Sequence, residues 1–324
     1  MNRHKNLCSS VIDAIGQTPL VELSKVVTGV RGRILAKMEY LNPGFSKKDR
    51  IALEIIEEAE KSGSLKSGQT VIELTSGNTG TGLAMVCAVK GHPFVAVMSR
   101  GNSPERARMM NALGARVVLV DQSAGAPLGQ VSGESLALVE IETQRLAREL
   151  GAFRADQFQL DANWKAHYFH TGKEIIEQAS CRIDAFCDFV GSGGSFAGIS
   201  RALRDDNPET LCYVVEPESA AVLAGRAVKN PNHRIQGGGY SIICLKSLKD
   251  VRVDGYLQVS DSQAIDAARR LAREEGIFAG FSSGANIAAA LQLLEGSLKG
   301  KTIVCLLNDS GLKYLSTDLW PPLG

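Results

Sequence analysis

Apolar residues return at Ile51, Ile55 and Ala59 within "PGFSKKDRIALEIIEEAE", residues 43–60, and glutamates fill the positions between them. That spacing predicts an amphipathic helix with one buried stripe. Pro43 and Gly44 break the chain ahead of it, and Ser46 offers an N-cap side chain. Other segments follow a different pattern. "TVIEL" (70–74), "FVAVMS" (94–99) and "ARVVLV" (115–120) are short, nearly continuous apolar runs, as are "AFCDFVG" (185–191), "LCYVVEP" (211–217) and "KTIVCLLND" (301–309). Such runs predict strands buried on both faces. "GNTGTGLAMVCAVKG" and "SPERARMMNALG" read as helices lying between the first three. Strands separated by helices imply βαβ units and mostly parallel sheets, hence an α/β fold. The Gly-, Ser- and Pro-containing stretch "DQSAGAPLGQVSGES", residues 121–135, predicts a long surface loop.

Three glycine- and serine-rich clusters punctuate this pattern: "TSGNTGTG" (75–82), "GSGGSFAG" (191–198) and "FSSGAN" (281–286). Each is expected at a strand-to-helix junction. A glycine-rich turn that opens a helix aims backbone N–H groups at one spot and suits an anion. In a parallel sheet such turns share one edge, where ligands bind. Taken singly each cluster is an ordinary way to leave a strand. No GxxxxGK[ST] run is present, which excludes a P-loop nucleotidase. A nicotinamide-dependent oxidoreductase would rest on "GSGGSFAG" alone, with no acidic residue at the expected distance.

The 324 residues suit roughly two domains, and 44% apolar content supplies a large core. A net charge of +1 argues against nucleic acid or a membrane surface as an electrostatic partner. No run approaches a membrane span, and the N-terminus lacks the apolar core of a signal peptide. The seven cysteines are scattered, odd in number and form no CxxC pair, as expected of reduced thiols in a cytoplasmic protein without a zinc site.

Lys47 and Lys48 fall in the first turn of the helix opened by Ser46, where cations oppose the helix dipole. Either both are solvated at small cost, or one has a chemical role. The ordered set of motifs bears on this choice: "IGQTPLVEL", "NPGFSKKDRIA", "TSGNTGTGLA", "RMMNALGARVVL", "DQF", "HTGKEI", "GSGGSFAG", "IQGGGY", "EEGIFAGFSSGAN" and "SGLKYLST". Together they resemble the cysteine synthase family, fold-type II pyridoxal-phosphate enzymes that include O-acetylserine sulfhydrylases and cystathionine β-synthases. The sequence stops shortly after "YLST", so no regulatory C-terminal domain is expected, nor an N-terminal heme segment.

The resemblance implies two three-layer α/β/α domains, a larger cofactor-binding one from residues 1–43 and 155–324 and a smaller mobile one from 44–154. It implies pyridoxal 5′-phosphate as cofactor and a cytoplasmic homodimer acting on small molecules. The family pattern S-x-K-D-R falls on Ser46–Arg50, so Lys48 matches the Schiff-base lysine. Lys47 stands where the family is usually apolar and is expected to point elsewhere. Gly191, Ser192, Gly193, Gly194 and Ser195 match the phosphate loop, Asn78 the partner of the ring hydroxyl, and Ser310 the partner of the ring nitrogen, with Asp309 as an alternative. Thr75, Ser76, Gly77, Asn78 and Thr79 match the clamp on the substrate carboxylate, aided by Gln157. A lysine used this way must be neutral part of the time, and desolvation beside a positive helix end lowers its pKa.

The sequence departs from the family at "IQGGGYSII", where Tyr240 is closer to the cystathionine synthases and Ser241 matches neither branch. It also departs at "NDSG", which lacks the usual leading proline, and in the length of 121–135. These departures bear on the second substrate. The leading expectation is β-replacement on an O-activated L-serine, O-acetylserine foremost, by sulfide to give L-cysteine through an aminoacrylate. The alternatives are a related synthase or lyase that forms cystathionine, releases hydrogen sulfide or uses another nucleophile, and a binding protein that keeps the fold without turnover.

Overall fold

The computed structural model describes residues 7–122 and 133–321. Its strands form two sheets. The first has the order β1 (Leu20–Leu23), β2 (Arg33–Lys37), β10 (Thr302–Leu306), β7 (Ala185–Phe189), β8 (Leu211–Pro217), β9 (Gly255–Val259). The second has the order β5 (Arg116–Val120), β4 (Phe94–Ser99), β3 (Val71–Leu74), β6 (Phe153–Arg154). Only β1–β2 is antiparallel among the described pairings; β10 runs parallel to both neighbours, with Cys305 opposite Ala36 and Cys187.

Nine α-helices accompany the strands among the described residues: α1 (Lys48–Ser62), α2 (Asn78–Lys90), α3 (Pro104–Ala112), α4 (Gly133–Leu150), α5 (Ala162–Ala166), α6 (Lys173–Gln178), α7 (Gly194–Asp206), α8 (Asp261–Glu275) and α9 (Phe281–Glu295). Both sheets are covered on two faces. On one face of the larger sheet Ile34, Cys187 and Cys305 pack with α8 and α9, while Phe186, Val214 and Val304 face Phe196 and Ile199 of α7 on the other. In the smaller sheet Val71 and Ala96 meet α1 and α2, and Ile72 and Val95 meet Val139 and Leu146 of α4. Alternate residues therefore enter different cores, which is why β3, β4, β7 and β10 are buried along their whole length and read as nearly continuous apolar runs, interrupted by the buried carboxylates Glu73 in β3 and Asp188 in β7. None of the described helices is long and apolar enough to cross a membrane.

The start of α1 is fixed by charge as well as by its Ile51–Ile55 stripe. Arg50 is buried and donates to Glu39 at 2.7 Å and to Glu174 at 2.6 Å, and Lys37 joins Glu174 at 2.7 Å. Burying these ions is costly unless each is paired, so the group holds α1 in one register against the segment after β2 and against α6. Two expectations need correction. "FSSGAN" is the first part of α9 and follows a loop, not a strand; its small residues let α9 approach α8, where a Cβ on Gly284 would stand 2.0 Å from the Ala264 carbonyl oxygen. Of the 121–135 loop, residues 133–135 already belong to α4, and residues 123–132 lie outside the described residues.

Candidate active site

Three segments that follow strand ends converge on the start of α1: Thr75–Thr79 after β3, Val190–Ser195 after β7, and Leu307–Ser310 after β10. This is the edge at which a parallel sheet offers ligand sites. Lys48 opens α1. Ser46 is not the N-cap residue, which is Lys47 in a helical conformation; the Ser46 hydroxyl instead accepts the Lys48 N–H at 3.2 Å. The Lys48 amine stands 3.4 Å from the Ser192 hydroxyl. Burial, then the neighbouring Lys47 charge, pulls its pKa down to about 7, against a smaller opposing effect of Asp188.

Lys48 separates two cavities. The first, about 390 Å³, is lined by Lys47, Lys48, Asn78, Gly191, Ser192, Gly193 and Ser195, with Phe189, Gln236, Gly237, Ser282 and Asn308. Gly194 is the first residue of α7, so the loop presents the N-terminal amides of that helix. Here glycine is required: Gly193 has φ +85°, and a Cβ on Gly194 would strike the Asn163 amide, which itself holds the Ser192 hydroxyl at 2.8 Å. The second cavity, about 380 Å³, is lined by Lys48, Ser76, Asn78, Thr79, Gln157, Ser192 and Tyr240, with Leu74, Leu136, Phe158 and Gly237. A wider cleft of about 1080 Å³ at Arg100, Asn102 and Arg234 shares only Gln236 with the first cavity and includes neither lysine nor glycine loop.

On the second side, Thr79 donates to the Gln157 Oε1 at 2.8 Å, which leaves the Gln157 NH2 group as the donor facing a ligand. Thr75 is not in the lining. Its hydroxyl accepts the N–H groups of Gly77 and Gly80, both at 2.9 Å, and so shapes the loop. Gly77 also lies outside the lining; its φ of +123° turns the chain against the Arg106 side chain. Tyr240 is half-buried, hydrogen-bonds Ser76, and has its hydroxyl pKa raised by burial. It also lines an outer cleft of about 960 Å³ with Gly133, Leu136, Phe158 and Ile242.

Behind Asn78 lies a set of buried charges. Asn78 donates to Asp309 at 2.8 Å and accepts from Lys313 at 2.8 Å. Asp309 also accepts the Tyr314 hydroxyl at 2.7 Å, and Tyr314 in turn accepts from Arg106. Burial lowers the Lys313 pKa to about 8 against the pull of Asp309 and Asp49. Ser310 is buried outside both linings and caps the short helix Gly311–Tyr314, its hydroxyl oxygen accepting the Leu312 N–H at 3.2 Å. That leaves the hydroxyl proton to donate elsewhere.

Lys47 does not point away. Its amine meets the Asp188 carboxylate at 2.9 and 3.1 Å and the Ser195 hydroxyl at 2.9 Å, inside the first cavity's lining. Sequence reasoning also passes over Asp188, Asn163, Asn308 and Lys313. Asp188 carries a signal, as a carboxylate inside a fully apolar strand requires a partner.

The profile of the pyridoxal-phosphate dependent enzymes matches residues 11–309. The chain belongs to the pyridoxal-phosphate-dependent enzymes. Among these enzymes it is 40% identical over 312 residues to a cysteine synthase of Staphylococcus aureus (strain N315), covering 96% of each. It is 38% identical over 315 residues to an O-ureido-L-serine synthase of Streptomyces lavendulae, covering 97% of this chain and 93% of that one. A crystal structure of a hydrogen sulfide-producing enzyme from Fusobacterium nucleatum is similar at TM-score 0.87 and 40% identity, covering 95% of this chain and all of the other (100%). The fold is therefore that of the fold-type II pyridoxal-phosphate enzymes, and the cofactor is pyridoxal 5′-phosphate. The first cavity fits such a group. It offers a loop of helix-start amides for a phosphate, a lysine depressed to about 7, and the Asn308 Oδ1, buried without a partner and so in need of one from a ligand.

Proposed function

We propose that the enzyme replaces the β-substituent of an O-activated L-serine, O-acetylserine foremost, with sulfide to form L-cysteine. The observation that carries this reading is the position of Lys48 between a glycine loop suited to an anion and a cavity lined by hydroxyl and amide donors suited to a carboxylate. Lys48 would hold the cofactor covalently, the Gly191–Ser195 loop its phosphate, Asn78 its ring hydroxyl and Ser310 its ring nitrogen. The bound cofactor supplies an electron sink for the pair left on Cα when the proton departs.

The chain's own residues do the rest. The amides of Ser76–Thr79 and the Gln157 NH2 group hold the substrate carboxylate on the second side. Burial and the Lys47 charge favour the neutral form of the Lys48 amine, so its Nζ would be the group that takes the α-proton. Ser310 would offer the ring nitrogen a neutral hydroxyl in place of a carboxylate, which would make the cofactor a weaker electron sink. Lys313 and Asp309 clamp both ends of the Asn78 amide and fix which end faces the cofactor.

A second reading has its own observation. Tyr240 stands at the junction of the second cavity and the 960 Å³ outer cleft, whose lining includes Leu136, Phe158 and Ile242. That opening supports a nucleophile larger than sulfide. A crystal structure of O-acetylserine-dependent cystathionine β-synthase from Helicobacter pylori is similar at TM-score 0.89 and 30% identity, covering 98% of this chain and 100% of the other. The deciding experiment offers O-acetylserine, O-phosphoserine, serine and cysteine with sulfide or homocysteine, and identifies products by mass spectrometry. Cysteine from O-acetylserine and sulfide supports the first reading. Cystathionine as the faster product supports the second, and pyruvate alone removes both in favour of a lyase.

A further inference from the structure

Lys47 and Asp188 form a buried pair inside the phosphate side of the site. Asp188 is wholly buried in β7, and Lys47 is 7% exposed. The Asp188 oxygens accept from Lys47 at 2.9 and 3.1 Å, from Asn286 at 3.1 Å, and from the Ser195 hydroxyl. A serine has one proton to donate. Ser195 gives that proton to Asp188, so in this arrangement its hydroxyl cannot also donate to a phosphate oxygen. Lys47 has three protons. Its acceptors are the two Asp188 oxygens and the Ser195 hydroxyl; the two oxygens of one carboxylate can share a single proton, which frees a third for a ligand. The amine carrying it borders the cavity that contains Ser192, Gly193 and Ser195.

We propose that Lys47, held in place by Asp188, is a phosphate ligand of the cofactor, taking the donor role that Ser195 has surrendered. The proposal rests on the Gly191–Ser195 loop being the phosphate site. It explains why a lysine at this position is accompanied by an aspartate within the neighbouring strand. Lys47 alone would be an unpaired buried cation in the free protein, and Asp188 alone would repel a dianion. Held together they keep the cofactor-free site neutral and still offer a charged donor to the phosphate.

The two partners have opposite expected signs. Apo-protein prepared by removing the cofactor is titrated with pyridoxal 5′-phosphate and with pyridoxal, and the ratio of the two dissociation constants is the readout. Wild type prefers the phosphate ester. Lys47→Met lowers that preference by about 10- to 100-fold, as loss of one charged hydrogen bond implies, while Lys47→Arg keeps most of it. Asp188→Asn leaves the preference unchanged or raises it, because an amide oxygen still accepts from Lys47 and holds the cation in place while the opposing charge goes. Pyridoxal affinity falls in Lys47→Met only as far as the neutral fraction of Lys48 falls, a change that both ligands share and that the ratio removes. If Lys47→Met and Asp188→Asn weaken both ligands alike, the pair is only structural and the proposal fails. It fails equally if the preference survives in Lys47→Met. Should Lys47→Met not fold, a fall in preference in Asp188→Asn overturns the proposal by itself. If wild type shows no preference for the phosphate ester, the loop is not the phosphate site and the reading beneath the proposal falls first.

Discussion

Lys48 is expected to titrate near pH 7 in the cofactor-free protein. An ordinary lysine, with a pKa near 10.4, is neutral in only about one molecule in 2500 at pH 7. At about 7 half the Lys48 amines are neutral, a gain of roughly a thousandfold in the form that attacks a carbonyl or accepts a proton. Two causes act in the same direction: burial comes first, and the Lys47 cation adds to it. Asp188 opposes them. Removing Lys47 while keeping Asp188 therefore has a definite sign. Lys47→Met takes away a lowering influence and leaves a raising one, so the Lys48 midpoint moves up by about one unit or more. The assay is competitive acetylation of the apo-protein with trace acetic anhydride across pH 6–11, with fragment spectra locating the label on residue 48. Wild type should reach half-maximal labelling near pH 7, far below the bulk of surface lysines, and Lys47→Met should reach it later. A wild-type midpoint above pH 9, or a downward move in Lys47→Met, would refute the account of how this site prepares its amine.

Other expectations follow from the same geometry. Borohydride reduction of the holoenzyme should leave the cofactor on residue 48, and Lys48→Ala should retain none; label on Lys47 would reverse the assignment. Ser310→Asp should change the visible spectrum and slow turnover by placing a charge at the ring nitrogen; an unchanged spectrum and rate would direct attention to Asp309. Tyr240→Ala should shift the ratio of rates with sulfide and with a larger thiol by about 10- to 200-fold, with consumption of the activated serine alone staying within a few-fold. Loss of that first step with unchanged thiol preference would place Tyr240 elsewhere in the reaction. Gly284→Ala should lower the thermal midpoint by the equivalent of about 1–3 kcal/mol, because the added methyl meets the Ala264 backbone carbonyl; an unchanged midpoint would mean that α8 and α9 separate freely.

Most strands that can be read from sequence are buried along their length and mainly apolar, with one buried carboxylate in each of β3 and β7; β5 is legible from its valine and leucine run although it is an edge strand with exposed positions. The ones passed over each have a physical reason. β1 and β9 are edge strands with mixed exposure, so "LVEL" and "GYLQV" show neither a run nor a clean alternation. β2 ends on Lys37, a charge that looks exposed in the sequence but is wholly buried against Glu174. β6 has two residues and exists only through its pairing with β3. In "FSSGAN" the serines and glycine read as a turn by their local preferences. In α9 their small size serves packing, and Ser282 and Ser283 bond to Asn308 across the gap.

The site follows a similar logic, with one instructive failure. Lys48, Asn78, Ser76, Thr79 and Gln157 line the two cavities, and the motifs that single them out are local segments at strand ends. Lys47 is the exception. Adjacent residues on a helix diverge by about 100°, which would turn Lys47 away from a site that Lys48 faces. Lys47, although the N-cap residue, already has a helical backbone, so the two side chains do diverge; both directions nevertheless lie within the site, because β7 stands on one side of the α1 start and Ser192 on the other. The Lys47 side chain can therefore run toward β7 while that of Lys48 reaches Ser192. The deciding partner stands 141 residues away, at Asp188. A carboxylate in the middle of "AFCDFVG" cannot remain there unpaired, and a lysine at a position that the resemblance makes apolar has no evident reason to be there. Each departure is costly alone and the two together are not. Two unexplained charges of opposite sign, each beside a glycine-rich turn or a catalytic-type lysine, are thus a pairing constraint legible in the amino-acid sequence itself. In this chain that constraint brings the start of α1 and β7 together beside the Gly191–Ser195 loop.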